Sequence, residues 1–189
     1  MTMVSTDDIE LSMRDMRLFH DLVYRESGIR LTDAKRSLIA SRLRKRLNML
    51  SFSDYGVYYR HITNTGNETE LQACLEALTT NETFFFRHRH HWDFLGEAFV
   101  PEMRARGNKE IRAWSAACST GEEAWSLAIL LHDLFGQHPG HNVHVVGTDI
   151  NRAVLARAEQ ACYGVYAMQK VTQAGRQKYF RKLNAETWE

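Results

Sequence analysis

Hydrophobic positions recur at helical spacing through the first 78 residues of the chain. Apolar residues three or four positions apart lie on one face of a helix, which a small domain buries in its core. Gly28 supplies a glycine stop after the first series, while Thr32 and Ser53 are candidate caps for the second and third helices. The pattern therefore predicts an all-α domain over residues 1–78. The apolar positions of its four predicted helices are, in order, Met16, Phe19, Leu22 and Val23; Ile39, Leu43, Leu47 and Leu50; a stretch ending at Ile62; and Leu71, Leu75 and Leu78.

The pattern changes after Gly107, where short apolar runs alternate with helical stretches. The runs "IRAWSAA" and "NVHVVGTD" have the composition of strands, and "EEAWSLAILLHDLF" and "NRAVLARAEQ" have that of helices. A strand–helix–strand–helix order is typical of a parallel sheet, so residues 108–189 predict an α/β domain. Residues 79–107 join the two stretches as a linker segment and a helix from about 92 to 106, ending near Gly107.

The linker contains the stretch "LTTNETFFFR", residues 78–87, with three consecutive phenylalanines. Phe84, Phe85 and Phe86 cannot share one stripe of a surface helix. The stretch is therefore expected either to be buried on several sides or to form a junction between two bodies, with its polar residues facing a cavity. Because phenylalanine is commonly buried, Phe85 and Phe86 are expected to be core residues rather than residues that stack on a ligand.

Composition and cysteine usage narrow the class of protein. The chain is 44% hydrophobic and 25% charged, which is ordinary for a globular protein. Its three cysteines are far apart and include no Cys-x-x-Cys pair, a pattern that favours reduced thiols and a cytoplasmic protein. No apolar run approaches the roughly 20 residues that span a bilayer, so no membrane insertion is expected.

The chain has a net charge of only +1, but its second predicted helix is basic. Lys35, Arg42, Lys45 and Arg46 fall on one stripe beside its apolar face, whereas Arg44 lies away from that stripe. A basic face of this kind docks on nucleic acid, lipid or an acidic protein helix, or is simply solvated. The near-neutral chain as a whole argues against nucleic acid.

The first strand, turn and helix of the α/β part, "WSAACSTGEEAWS", resemble a nucleotide-type site in outline. Small residues between a strand and a helix allow the backbone to approach a ligand at the helix N-terminus. The turn has neither the Lys-Ser/Thr of a P-loop nor the G-x-G-x-x-G of dinucleotide binders. Glu122 and Glu123 in the first helical turn would repel a pyrophosphate, so a cationic or ribose-bearing ligand fits better.

Asp149 follows the second strand, 28 residues after Gly121. A carboxylate at this position can accept hydrogen bonds from both ribose hydroxyls. The alternative is that Asp149 caps the helix that begins near Asn151. His88, His90 and His91 are expected to begin a polar helix rather than bind a metal, since zinc requires about four ligands and no further pair is suitably spaced.

The motifs "LTTNETFFFR", "WSAACSTGEEAWSLAI" and "TDIN", in this order and spacing, resemble the CheR-type chemoreceptor methyltransferases. These enzymes transfer a methyl group from S-adenosylmethionine to glutamate side chains on chemotaxis receptors. The resemblance covers nearly the whole chain. It implies an N-terminal helical domain, whose basic helix ("SRLRKRL") meets the acidic helical methylation region of the receptor, followed by a class I (Rossmann-like) methyltransferase domain.

The resemblance also implies roles for individual residues. Asn81, Thr83 and Arg87 correspond to cofactor contacts from the linker, and Asp149 corresponds to the ribose-binding acid. Arg87 is also expected to orient the incoming carboxylate by a charge-assisted hydrogen bond, the alternative being a structural ion pair. The further implied residues are Ala117, Glu122 and Glu123 as cofactor contacts, with Glu123 favoured over Glu122, and Lys35, Arg42, Lys45 and Arg46 as receptor contacts.

Some features depart from the family pattern. Ala117 stands where many members have glycine, which is tolerable if the backbone there is not at positive φ, and Ala124-Trp125 replaces the usual Pro-Tyr. The family continues beyond the position of Glu189 with further strands, and a two-stranded parallel sheet is unstable alone. We therefore expect either a piece of a longer protein or self-association that completes the sheet. The alternative functions are a non-catalytic receptor-binding module and a helical regulator that binds nucleic acid.

Overall fold

The computed structural model describes residues 9–107, 109–136 and 140–189. The chain divides into two compact units, the first ending at Thr80 and the second beginning at Asn81. The first unit is helical and the second combines helices with parallel strands, which confirms the predicted fold class. In the described part of the chain, no helix is both long and apolar enough to cross a membrane.

The first unit consists of four helices whose bounds follow the apolar pattern. They are α1 (Met13–Ser27), α2 (Arg36–Met49), α3 (Tyr55–Thr63) and α4 (Glu68–Leu78), with a short 3-10 turn (Asp33–Lys35) before α2. Gly28 ends α1 in the left-handed conformation, at φ 71°, as the sequence predicts. The core contains the predicted apolar residues Met16, Phe19, Leu22, Val23, Ile39, Leu43, Leu47, Ile62, Leu75 and Leu78, together with Tyr55, Tyr58 and Cys74.

Three local predictions in this unit are wrong. Asp54, not Ser53, caps α3, because its carboxylate accepts the Val57 N–H at 2.7 Å. Thr32 has the extended backbone of a cap, but its side chain makes no capping hydrogen bond to the turn that follows. Leu50 lies beyond the last residue of α2 and is 40% exposed, so it does not continue the apolar stripe of that helix.

The second unit begins with a helical stretch and continues into the strands. The stretch comprises α5 (Arg89–Phe94), a π-helical turn (Leu95–Phe99) and α6 (Val100–Ala105). The remaining elements are β1 (Glu110–Ala116), α7 (Glu122–Phe135), β2 (Asn142–Thr148), α8 (Arg152–Gln160), β3 (Tyr163–Gly164), α9 (Gln173–Tyr179) and β4 (Thr187–Trp188).

Strands β1 and β2 pair in parallel, with Glu110 opposite Asn142 and Ala116 opposite Thr148. One face of this pair is covered, and Ile111 packs there with Val100, Leu131 and Phe135 of the neighbouring helices. Strands β3 and β4 form a separate antiparallel pair. A parallel pair brings the carboxyl ends of both strands to the same edge, so the turn after β1 and the residues after β2 are neighbours.

Candidate functional site

The turn between β1 and α7 is built from backbone conformations that are rare for most residues. Ala117, Ser119 and Gly121 have φ values of 64°, 52° and 95°. The turn is tied to the second strand because the Cys118 N–H donates to the Thr148 carbonyl at 2.9 Å. Ala117 was predicted to be tolerable if its backbone avoided positive φ. This condition is not met, so the backbone of Ala117 is held in a strained conformation.

Gly121 is required by a close approach as well as by its backbone angle. A β-carbon at this position would lie 2.8 Å from the Ala158 Cβ and 3.1 Å from the Ala158 Cα on α8. It would also lie 3.0 Å from the Tyr163 hydroxyl, which donates to the Thr120 carbonyl at 3.0 Å. The turn therefore packs directly against α8, and this contact sets the distance between the start of α7 and the second βα unit.

Asp149 links the turn to the segment that follows β2. Its Oδ2 accepts the Ser119 N–H at 2.8 Å, and its Oδ1 accepts the Asn151 N–H at 2.8 Å. Asn151 itself caps α8, since its Oδ1 accepts the Val154 N–H at 3.2 Å. The alternative that Asp149 is the helix cap is therefore wrong. Each carboxylate oxygen has two lone pairs, so both oxygens retain capacity to accept a ligand hydroxyl.

The start of the linker stretch lies against the same turn. The Ser119 hydroxyl donates to the Asn81 carbonyl at 3.0 Å. Ser119 thus contacts Asn81 through its side chain and Asp149 through its backbone N–H. The structure thereby brings together three elements that the sequence placed in one site: the linker, the first turn and the acid after the second strand.

The three phenylalanines belong to the packing of the second unit. Phe85 is fully buried in a cluster with Tyr163, Met168 and Trp188, which confirms it as a core residue. Phe86 is half-buried, packs against that cluster and meets the Trp92 ring edge-on at 5.5 Å between centroids. The first of the two expectations for the stretch, burial on several sides, holds for Phe85.

Arg87 and Thr83 are both half-buried in the described linker. The Arg87 guanidinium donates to the Glu82 carbonyl at 2.6 Å and lies 5.9 Å from the centre of the Phe84 ring. The acceptor of Arg87 is thus a neutral carbonyl rather than a carboxylate, so this contact does not neutralise the charge of the guanidinium. The role of Arg87 toward a substrate carboxylate stays a prediction.

The two glutamates at the start of α7 differ in environment. Glu122 is buried, and its carboxylate accepts the Thr120 hydroxyl at 2.6 Å, so it supports the turn itself. Glu123 is exposed and accepts the hydroxyl of Ser115, a buried residue of β1, at 2.6 Å. Glu123 therefore stands exposed near the carboxyl end of the strand, and its contact with the cofactor stays a prediction.

Burial also affects two groups beside the turn. Burial, followed by the nearby Asp149 carboxylate, raises the pKa of the Cys118 thiol, which keeps it protonated at neutral pH. Burial likewise raises the pKa of the Tyr163 phenol, which serves as a hydrogen-bond donor to the turn. Both groups are therefore neutral structural partners of the turn.

A cavity of about 790 Å³ runs along β2 between α7 and α8. Its wall is largely apolar and includes Cys118, Gly121, Val145 and Leu155. Asn81, Thr83, Arg87 and Asp149 are not among the described residues that line it. This cavity is thus adjacent to the turn but is not formed by the predicted cofactor contacts.

The basic stripe of α2 and its preceding turn divides into two pairs. Lys35 and Lys45 are exposed. Arg42 donates to the Leu78 and Thr79 carbonyls at 3.1 and 2.9 Å, at the end of α4. Arg46 forms a bidentate ion pair with Glu70, whose Oε1 also accepts the Tyr58 hydroxyl at 2.7 Å. The two arginines therefore stabilise the helical unit, and the two lysines form its solvated part.

His88, His90 and His91 lie at the start of α5, as predicted for a polar helix start. The His90 and His91 rings are 4.1 Å apart between centroids. Within residues 9–107, 109–136 and 140–189, no group of three or more histidine, cysteine, aspartate or glutamate side chains is arranged to hold a metal ion.

Sequence reasoning missed several residues that shape the site. Ser126 and Tyr163 connect elements that are distant in sequence, as does the side chain of Ser119 within the predicted turn, and Asn151 provides the cap that was one of the two alternatives for Asp149. Ser126 could have been found as a polar residue on the buried face of an amphipathic helix, because such a hydroxyl needs a hydrogen-bond partner. No pattern in the sequence indicates the partners of Ser119 or Tyr163.

A parallel strand pair with its first turn joined to an acid after the second strand is typical of an α/β ligand-binding domain. Residues 14–79 match the family described as "CheR methyltransferase, all-alpha domain", and residues 81–189 match "CheR methyltransferase, SAM binding domain". The chain therefore belongs to the CheR methyltransferase family. The second description identifies S-adenosylmethionine as the cofactor of this domain.

Curated relatives agree with this assignment. The chain is similar to the "Chemotaxis protein methyltransferase" of Salmonella typhimurium, with 38% identity over 177 residues, and to that of Escherichia coli, with 36% identity over 177 residues. Both comparisons cover 94% of this chain. The chain spans 59% of the length of the first relative and 60% of the second.

Proposed function

We propose that this chain contributes to the methylation of glutamate side chains on chemotaxis receptors, with S-adenosylmethionine as methyl donor. The observation that carries the proposal is the junction at Ser119, which contacts both the Asp149 carboxylate and the linker residue Asn81. This junction assembles the three motifs of the family at one edge of the parallel strand pair. The chain spans 59% of the length of the Salmonella typhimurium relative. That this chain takes part in the activity of a full-length enzyme is therefore proposed together with the reaction.

The residues present fit the cofactor by their chemistry. The oxygens of Asp149 can accept both ribose hydroxyls, and Glu123 adds a second acceptor at the end of β1. These acids favour a ligand that carries positive charge, as the sulfonium does, over one that carries a pyrophosphate. Asn81, Thr83 and Arg87 would contact the cofactor from the linker.

The proposed chemistry requires positioning rather than a general base. The bound cofactor supplies a methyl group on a positively charged sulfur, so transfer forms an oxygen–carbon bond and breaks a sulfur–carbon bond without moving a proton. A glutamate carboxylate is already ionised at neutral pH. Arg87 would orient that carboxylate by a charge-assisted hydrogen bond, and the site would align the two reacting atoms.

Calorimetry with S-adenosylhomocysteine, the reaction product, tests the cofactor assignment. Asp149→Ala should weaken binding by at least tenfold. It removes the proposed acceptor of the ribose hydroxyls, where a hydrogen bond to a charged group contributes about 1.5–3 kcal/mol, and it also removes the acceptor of the Ser119 and Asn151 N–H groups. Asp93→Ala, which removes an exposed acid from α5, is the control and should leave the affinity unchanged. Equal affinity of the two variants, both shown to be folded, would contradict the ribose assignment.

We further propose that the exposed lysines of the basic stripe contact the acidic helices of the receptor. Lys35→Ala/Lys45→Ala should weaken binding to a receptor methylation-region fragment severalfold at low salt and less at high salt. Arg14→Ala/Arg17→Ala removes the same charge from exposed positions of α1 and should have a smaller effect. Equal effects of the two double variants would indicate that the stripe is only a solvated face.

The same receptor fragment separates an enzyme from a binding module. Transfer of a labelled methyl group from S-adenosylmethionine to the fragment would support the enzyme, and binding without transfer would support the non-catalytic alternative. Titration of the chain with duplex DNA covers the nucleic-acid alternative, which requires an affinity that falls steeply with salt.

A further inference from the structure

The linker from Asn81 to Phe86 is joined to α7 and to the turn before it by two serine hydroxyls. At its start, the Ser119 hydroxyl donates to the Asn81 carbonyl at 3.0 Å. At its end, the Phe86 N–H donates to the Ser126 hydroxyl oxygen at 3.0 Å. Ser119 is 6% exposed and Ser126 is fully buried, so water has little access to either hydroxyl and cannot readily replace these hydrogen bonds.

The hydrogen-bond roles of Ser126 are fixed by its surroundings. Its hydroxyl donates to the Glu122 carbonyl, one turn earlier in α7, at 2.6 Å. The single hydroxyl proton is thereby used, and the oxygen is left to accept the Phe86 N–H. A chain of two hydrogen bonds thus runs from Phe86 through Ser126 to the first turn of α7.

This bond coincides with a strained position of the backbone. Phe86 has a φ of 56°, which is unfavourable for a bulky residue. Such a conformation persists when several contacts determine it together. Here the Phe86 N–H is held by Ser126, and the neighbouring Phe85 N–H donates to the Ala167 carbonyl at 3.0 Å while its ring is buried.

We infer that Ser126 is a positioning residue for the cofactor site. It acts through the Phe86 N–H, and it fixes the path of the linker that carries Asn81, Thr83 and Arg87. Ser119 fixes the same linker at its other end. The inference rests on the proposed function for the role of those three residues, whereas the path of the linker is a property that can be measured without a ligand.

The test compares Ser126→Ala with a matched serine elsewhere. Ser27, at the end of α1, has the same arrangement: its hydroxyl donates to the Val23 carbonyl at 2.6 Å and accepts the Ile29 N–H at 3.3 Å. Ser126→Ala should weaken binding of S-adenosylhomocysteine about tenfold, the factor expected for one lost hydrogen bond. Ser27→Ala should leave that affinity unchanged although it also loses a helical serine bond.

Hydrogen exchange supplies a second measurement that needs no ligand. In Ser126→Ala the amides of Phe86 and Arg87 should exchange at least tenfold faster, whereas Ser27→Ala should leave them unchanged. Ser119→Ala should weaken the cofactor affinity as well, and it serves as the second variant if Ser126→Ala does not fold. Unchanged exchange at Phe86 in folded Ser126→Ala would overturn the inference.

The two proposals fail in different ways. If the unsubstituted chain does not bind S-adenosylhomocysteine, the proposed function is contradicted for this chain, and exchange at Phe86 still decides whether Ser126 fixes the linker. If the chain binds the product and Ser126→Ala binds it equally well, Ser126 does not position the site and the proposed function stands.

Discussion

Replacing Gly121 by alanine tests the packing on which the site depends. Gly121 has a φ of 95°, and an added β-carbon would lie 2.8 Å from the Ala158 Cβ. Two separate effects are expected, one from the left-handed backbone and one from the steric overlap. Gly107→Ala provides the matched control in the same unit, because Gly107 also has positive φ, at 69°, but its β-carbon would meet nothing within 4 Å.

The expected magnitudes follow from these distances. A left-handed conformation costs a residue other than glycine about 1–2 kcal/mol, and this part is shared by both variants. Overpacking in a tight site adds about 1–3 kcal/mol, since the Ala158 backbone atom at 3.1 Å cannot move like the end of a flexible side chain. Gly121→Ala should therefore lower the free energy of unfolding by about 2–5 kcal/mol, and Gly107→Ala by about 1–2 kcal/mol.

The assay is urea unfolding followed by tryptophan fluorescence. The four tryptophans, at positions 92, 114, 125 and 188, all lie in the second unit, so the signal reports on that unit alone. Trp125 is a local probe as well, because its indole N–H donates to the Ala158 carbonyl at 3.3 Å. Equal losses of stability in the two variants would refute the close contact between the turn and α8.

Three further predictions concern the first unit and the thiols. Arg46→Ala should destabilise the helical unit by about 3 kcal/mol, because the largely buried Glu70 carboxylate loses its cation. The control Lys45→Ala removes an exposed charge and should change the stability by less than about 0.5 kcal/mol. Unfolding followed by circular dichroism compares the two variants, and equal effects would contradict the ion pair. Burial raises the pKa of Cys74 to about 12 from an ordinary value of 9.0. Between about pH 9 and 12 the thiol therefore keeps its proton in the folded state and ionises in the unfolded state. The free energy of unfolding should fall by about 1.4 kcal/mol per pH unit over this range. Unfolding at pH 8 and pH 10 measures this loss, and a Cys74→Ala variant with the same pH dependence would show that another group causes it. Ellman's reagent should react rapidly with exposed Cys162 and with buried Cys74 and Cys118 only on unfolding, a pattern that rapid reaction of all three would exclude.

The sequence predicted the elements of the fold because apolar spacing determines which face of each helix or strand is buried. The series from Met16 to Val23 and the alternation after Gly107 both gave the correct element type. Caps were less predictable, since Ser53 and Asp54 are adjacent and either side chain can accept an N–H. The choice between them depends on backbone geometry that no local pattern encodes.

The candidate site was predictable as a set of motifs and not as a network. The turn and Asp149 were placed together because parallel strands end at one edge. The hydrogen bonds of Ser119 and Ser126 join residues about 40 positions apart in sequence, and such partners follow from packing alone. The basic stripe shows the same limit, because periodicity could not reveal that Arg46 has its partner on α4 and that Arg42 has its partners at the end of α4.

The two hydrogen bonds accepted by Asp149 restrict which amino acids this position admits. Asparagine has the same shape but one carbonyl oxygen, so its amide group would face the N–H of either Ser119 or Asn151. Alanine would leave both N–H groups without their acceptor. Any substitution would thus disturb the first turn and the entry to α8 before a ligand arrives. A screen of point variants by activity alone would identify position 149 as essential, and it would not distinguish a residue that binds the cofactor from one that shapes the protein around it.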